Sequence, residues 1–365
     1  MVKLDCPLQL SPVVKPKIWG RADLSPVYPD IPVSHSSASH SGGRRSETRR
    51  DKLIGEVWVT DDSSRFLNGP LAGMSLAEAS QKYGSELNGV NWHHPRFPIL
   101  AKYIFTSAWL SVQVHPDDDY ARMHDPGNFG KCEMWYIIHV DREGELLLGA
   151  RPGVTKDSLR EAFKTGTSRE LLNRFRPEPG EAMFVPPGTV HALGPGLVLF
   201  EVEENSDLTY RLDDFGRLGL DGKPRPLHIE KGLEVTRVDA PALRNLPRIE
   251  FPEPFGARRY VLASRFFALE ELTLERPAHL HSNRERVEVL SMISGEGRVE
   301  ISPGWFGYRP GDTWVIPPDA GEFRLTPVET TRVLKYYVPD LDSDFREPLR
   351  KKRVPLEMIR KIVFD

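Results

Sequence analysis

The 365 residues carry 49 Lys+Arg against 52 Asp+Glu, a net charge of −3, so no global field draws in nucleic acid or an anionic membrane surface. Two cysteines, Cys6 and Cys132, are too few for a disulfide framework, and no apolar run approaches the length of a membrane span or has the form of a signal peptide. Globular proportions (39% hydrophobic, 28% charged) with 32 prolines and 29 glycines predict a cytoplasmic protein of two domains, or one with large insertions, built from short strands and turns.

In chain order, residues 35–52 (HSSASHSGGRRSETRRDK) hold no aliphatic or aromatic side chain except Ala38 and read as a solvated loop. The basic run at 350–353 reads the same way. Residues 53–60 (LIGEVWVT) are β-rich, and 75–83 (SLAEASQKY) form a short helix with a Ser75/Glu78 capping box. Strands follow at 97–105 and 110–115, the latter alternating apolar and polar side chains. Residues 155–175 break this pattern with apolar residues at helical spacing, and Gly166 divides them into two predicted helices. Strands return from 181, among them 197–204 (LVLFEVEE).

One segment occurs twice. Gly180-EAMFV-Pro186-Pro-Gly188-TV-His191 aligns without a gap on Gly311-DTWVI-Pro317-Pro-Asp319-AG-Glu322, each with a Gly turn, five strand residues, a Pro-Pro corner and a return strand. Two copies imply two similar β-barrels. Both resemble the G-x5-P-x-G-x2-H motif of the cupin family, the first at every fixed position, the second with Asp319 and Glu322 in place of Gly and His. The resemblance implies a mainly β chain of two cupin (jelly-roll) barrels with a small helical insertion: a catalytic region over 1–240 and a second, degenerate barrel over 241–365. His279, His281, Glu288 and Gly295 echo a metal motif only in part, so the second barrel is expected to serve packing or as a lid.

Strand alternation gathers polar groups in the first barrel. If Leu110, Val112 and Val114 pack one way, Ser111, Gln113 and His115 project the other. Lys131, Glu133 and Trp135 likewise share a face, and His191 enters from the return strand. Gln113, His115, Glu133 and His191 then form an N2O2 set that suits Zn²⁺ and would also accept Mn²⁺, Fe²⁺, Co²⁺ or Ni²⁺. The bland alternative for each residue, a satisfied structural histidine or a hydrogen-bonding glutamine, stands beside this reading. It is weakened by the cost of burying so many polar groups without a partner.

LSVQVHPDDDYA (110–121) and GKCEMWYII (130–138) resemble type I mannose-6-phosphate isomerases. So do IWG (18–20), IGEVW (54–58), NGPLAGMSL (68–76), FPILAK (97–102), PPGTVHALG (186–194) and ENSDLTYRLDDFGR (204–217). The resemblance implies an aldose–ketose isomerase that interconverts mannose 6-phosphate and fructose 6-phosphate through an enediol(ate). It implies one zinc per chain on Gln113, His115, Glu133 and His191, and a small phosphosugar as partner. Arg211 matches the family's essential arginine, and Glu201, ten residues before it, the acidic residue expected to act as base. Glu201 follows Leu197 and Leu199 on one strand face, which predicts a raised pKa. Lys131 is expected to assist ring opening or proton transfer, and Lys102 and Ser111 to hold the phosphate. Gly130 stands where many members carry a histidine, which leaves the ring-opening acid without a residue. A structural salt bridge from Arg211 to Asp213 or Asp214, a non-catalytic phosphosugar-binding cupin, and an isomerase or epimerase of another phosphosugar are the competing readings.

Overall fold

The structure, a computed structural model, describes residues 3–29, 53–301 and 304–365, and the loop expected at 35–52 lies outside them. Its strands form four sheets in which neighbouring strands run antiparallel, arranged as two jelly-roll pairs. A six-stranded sheet, in the order Val13–Arg21, Ile54–Trp58, Ile99–Phe105, Leu197–Glu204, Glu133–Val140 and Ala182–Val185, faces a five-stranded one. The latter runs Tyr210–Asp213, Val112–Val114, His191–Leu193, Leu146–Ala150 and Leu172–Phe175. The second pair consists of a seven-stranded and a four-stranded sheet built from strands between Ile249 and Tyr337, joined by Leu8–Leu10, which pairs with Thr313–Ile316. A strand from the first barrel's side of the sequence thus extends the edge of the seven-stranded sheet.

Period-two alternation explains why the six-stranded sheet is buried on both faces. Ala101, Tyr103 and Phe105, with Met134, Tyr136 and Phe200, pack against Val261, Leu269, Leu334 and Tyr336 of the second barrel. Ile104, Trp135, Ile137, Leu197 and Leu199 point into the first barrel. The expected phase at 110–115 holds for Val112 and Val114, which pack outward beneath the helices Lys156–Thr165 and Ile229–Val235. Leu110 departs from it: it precedes the strand and joins the interior cluster.

The repeated turns use glycine for the same reason. Gly180 and Gly311 have φ of 84° and 89°, where an L side chain is strained, and a Cβ at Gly311 would lie 2.1 Å from the Tyr28 ring. The capping box of Ser75 and Glu78 is present. The insertion differs from expectation in its second half. Lys156–Thr165 is a helix closed by left-handed Gly166, but Ser168–Leu171 is a single 3-10 turn and Leu172–Phe175 an edge strand paired with Leu146–Ala150. Helical spacing over so few residues is overridden by a free sheet edge.

The second barrel is filled with apolar side chains, including Leu290, Met292, Trp314, Ile316, Phe323 and Leu325. His279 and His281 are exposed on its outer surface, and so is Glu322, the repeat counterpart of His191. Among the described residues its interior offers no set of metal-ligating side chains.

Candidate metal centre and active site

Five strands of the first barrel bring the site together. Gln113 pairs in register with both His191 and Arg211, and Glu203 with Glu133. These pairings bring residues separated by up to 98 positions onto one inner surface. His115 Nδ1 lies 2.9 Å from the Leu208 carbonyl and His191 Nδ1 2.8 Å from that of Thr189, so each ring donates outward and turns its Nε2 lone pair inward. Burial, with Lys131 and each other nearby, holds His115 well below the usual imidazole range, and burial brings His191 to about 4. Both are neutral at pH 7.

Glu133, fully buried, lies between them: Oε1 is 3.3 Å from His191 Nε2, and Oε2 is 3.5 Å from His115 Nε2. The Gln113 amide is 3.2 Å from His191 Nε2, and a half-turn of that amide presents its oxygen instead. Tetrahedral ligands at 2.0–2.1 Å from a zinc ion are about 3.4 Å apart, so these separations fit one ion without rearrangement. Glu133 Oε1 is buried and accepts no hydrogen bond, the condition of a donor atom awaiting a cation. The residues present fit zinc.

Burial and Glu201 raise the Glu133 carboxyl to about 7, while the histidines stay neutral through the same range. A carboxyl with a raised pKa is protonated below that value, and only the deprotonated form is a ligand. Zinc affinity should therefore fall about tenfold per pH unit below pH ~7 and level off above it. Competition against a chromophoric chelator between pH 5.5 and 8 measures this; an affinity that rises on acidification would contradict the assignment of Glu133.

Beside the ligands lies a compact ion cluster. Lys131 Nζ is 2.6 Å from Glu133 Oε2, 2.9 Å from Glu203 Oε2 and 3.6 Å from Glu201 Oε1. Lys102 Nζ is 3.1 Å from Glu201 Oε1 and 3.0 Å from Glu203 Oε1. Trp135 Nε1 donates to Glu201 Oε2 at 2.9 Å. The raised pKa expected for Glu201 is overturned. Burial pushes it up, but Lys102 and Lys131 outweigh burial and hold it well below the carboxylate range. Glu203 is instead the carboxyl that burial drives well above that range, against the pull of the two lysines. Three carboxylates against two ammoniums retain a proton, which a dication at the histidines would expel. Both lysines are held as ammoniums by these neighbours despite burial.

A cleft of about 590 Å³ opens above this floor, lined at depth by Lys102, Lys131, Glu201, Ser111 and Gln113, and toward its mouth by Lys17, Arg211 and Arg225. Arg211 Nη1 donates to the Pro226 carbonyl at 3.0 Å, and its buried Nε has no acceptor. The salt bridge considered for it does not form: Asp214 is bound by Arg217 and Arg225, and Asp213 accepts from Ser168 at 2.5 Å. Lys102 lies deeper than a phosphate ligand was expected to, with its charge already matched by two carboxylates. Ser111 Oγ is 3.4 Å from Gln113 Oε1. A Cβ at Gly130 would lie 2.5 Å from the backbone of Asp117 and Asp118, so this loop excludes a histidine there. Sequence reasoning missed Glu203, although the alternation that placed Glu201 inside continues to it.

Residues 8–155 match the family model for phosphomannose isomerase type I, catalytic domain. The chain is 32% identical to mannose-6-phosphate isomerase ManA of Bacillus subtilis over 326 residues, 87% of this chain and 95% of that protein. It is 33% identical to the probable mannose-6-phosphate isomerase GmuF of the same organism over 324 residues, 87% and 96% of the two chains. The crystal structure of mannose 6-phosphate isomerase from Bacillus subtilis superposes with a TM-score of 0.78 at 27% identity, covering 90% of this chain and 99% of that one.

Proposed function

The chain belongs to the type I mannose-6-phosphate isomerase (phosphomannose isomerase) family, and from that premise we propose that it interconverts mannose 6-phosphate and fructose 6-phosphate through an enediol(ate) in a zinc-dependent reaction. The observation that carries the proposal is the buried His115–Glu133–His191 set, which meets Gln113 beneath a cleft that Gln113 also lines and that presents two ammoniums, the Glu201 carboxylate and an arginine with no carboxylate partner among the described residues. A binding module has no use for so costly a buried charge cluster. Zinc, when bound to Gln113, His115, Glu133 and His191, supplies Lewis-acid polarisation of the sugar's oxygens.

The chain's own groups divide the remaining work. Glu201, ionised and at the cleft floor, takes the proton from C2 and returns it to C1. Lys131, held protonated, is the acid for ring opening that Gly130 cannot supply. Lys102 and Arg211 share the charge that develops on the enediolate oxygens. The phosphate is assigned to Lys17 and Arg225 at the mouth, with Ser111 below them, and Lys102 is assigned to the reacting end. A cytoplasmic location accompanies the proposal, supported by the two free cysteines. Among the described residues no helix is long and apolar enough to cross a membrane.

A coupled assay that follows fructose 6-phosphate formation from mannose 6-phosphate tests the activity directly; binding without turnover would favour the non-catalytic reading. Arg211 tests the division of labour. Because it pairs with the ligand Gln113, Arg211→Ala should lower kcat with little change in KM, and Arg211→Lys should not rescue it. A raised KM with normal kcat would place Arg211 on the phosphate instead.

A further inference from the structure

We propose that Glu203 is a positioning residue that ties the Lys102 and Lys131 ammoniums together beneath the cleft, so that both cations are presented to the sugar in fixed places. The inference rests on the isomerase reading above. Glu203 has no exposed side-chain surface and lines no part of the cleft. Its two oxygens are divided between the lysines, Oε1 at 3.0 Å from Lys102 Nζ and Oε2 at 2.9 Å from Lys131 Nζ. The lysines come from different segments, one on the strand Ile99–Phe105 and the other just before Glu133–Val140. The strand Leu197–Glu204 runs between those two and pairs with both. Glu201, the other carboxylate near both ammoniums, has one oxygen toward them and the other on Trp135, and it faces the cleft. Glu203 alone among the described residues bridges them with one oxygen each. Two long, flexible side chains with like charges separate unless a group between them accepts from both, and each Glu203 oxygen faces one ammonium. A carboxylate that touches no substrate therefore sets where two substrate-facing cations stand.

The test uses zinc-loaded full-length enzyme. Glu203→Gln should keep one zinc per chain and a KM within about threefold, while kcat falls ~10–100-fold, the usual worth of a group that orients a functional one. Glu203→Asp keeps the charge but is one methylene too short to reach both lysines, and should show a similar loss. A normal kcat in Glu203→Gln, full activity in Glu203→Asp, or loss of zinc along with activity would overturn the proposal. If Glu203→Gln does not fold, the double variant Lys102→Met/Glu203→Gln removes one of the repelling cations. It should fold and bind zinc while staying slow; a double variant no more stable than the single one would also overturn the proposal. Activity of the unaltered enzyme in the same assay separates failure of this inference from failure of the isomerase reading.

Discussion

His191→Ala should leave the protein folded but without zinc, with kcat/KM for mannose 6-phosphate lowered at least ~10³-fold. The charge stabilisation a metal supplies is worth several kcal/mol, and about 4 kcal/mol corresponds to that factor. His191 is the ligand whose loss should be cleanest. Its ring sits against Trp135 at 5.3 Å between centroids, its Nδ1 is tied to Thr189, and the alanine leaves Glu133 Oε1 facing an empty position. The control is His281→Ala, on the exposed outer face of the second barrel, which should change neither metal content nor rate. Zinc measured by atomic emission alongside the kinetics decides the matter. Full zinc content in His191→Ala would remove that residue from the ligand set.

Glu201→Gln should retain zinc and substrate affinity while kcat drops ~10²–10⁴-fold, the typical contribution of a positioned base. The structure sharpens this expectation. Lys102 and Lys131 hold the carboxylate well below its usual range despite burial, so Glu201 is ionised throughout the working range. The acid limb of the pH–rate profile should accordingly follow metal loss through Glu133 rather than protonation of Glu201. Solvent deuterium entering C2 of the sugar provides a second readout, since the variant should slow exchange as much as turnover. An unaltered kcat would remove Glu201 from the base role, and the firmly protonated Lys131 could not replace it.

Much of this site is legible in the chain because strand geometry converts period-two spacing into a common face. Gln113 with His115, Lys131 with Glu133 and Leu199 with Glu201 each follow from that rule, and the repeated Gly–Pro-Pro segments point to two barrels before any pairing is known. What is not legible is what lies across the strands. Lys102 meets Glu201 and Glu203 only through a register set 99 residues along the chain, so the sign of the Glu201 shift depends on neighbours that local pattern does not reveal. Glu203 reads as one of three acids within four residues until the sheet buries it. Residues 168–175 carry a helical pattern too short to resist an open sheet edge. Gly130 is explained only when the Asp117–Asp118 backbone is seen passing against it.

The isomerisation should depend on zinc, and removal followed by restoration of the metal shows whether it does. Purified protein is stripped with a chelator, exchanged into metal-free buffer at pH 7.5, and assayed for fructose 6-phosphate formation as zinc is added back. Activity should be absent from the stripped protein and rise linearly to a plateau at one zinc per chain. Turnover by protein that contains no metal, or a plateau reached only at two, would contradict the account.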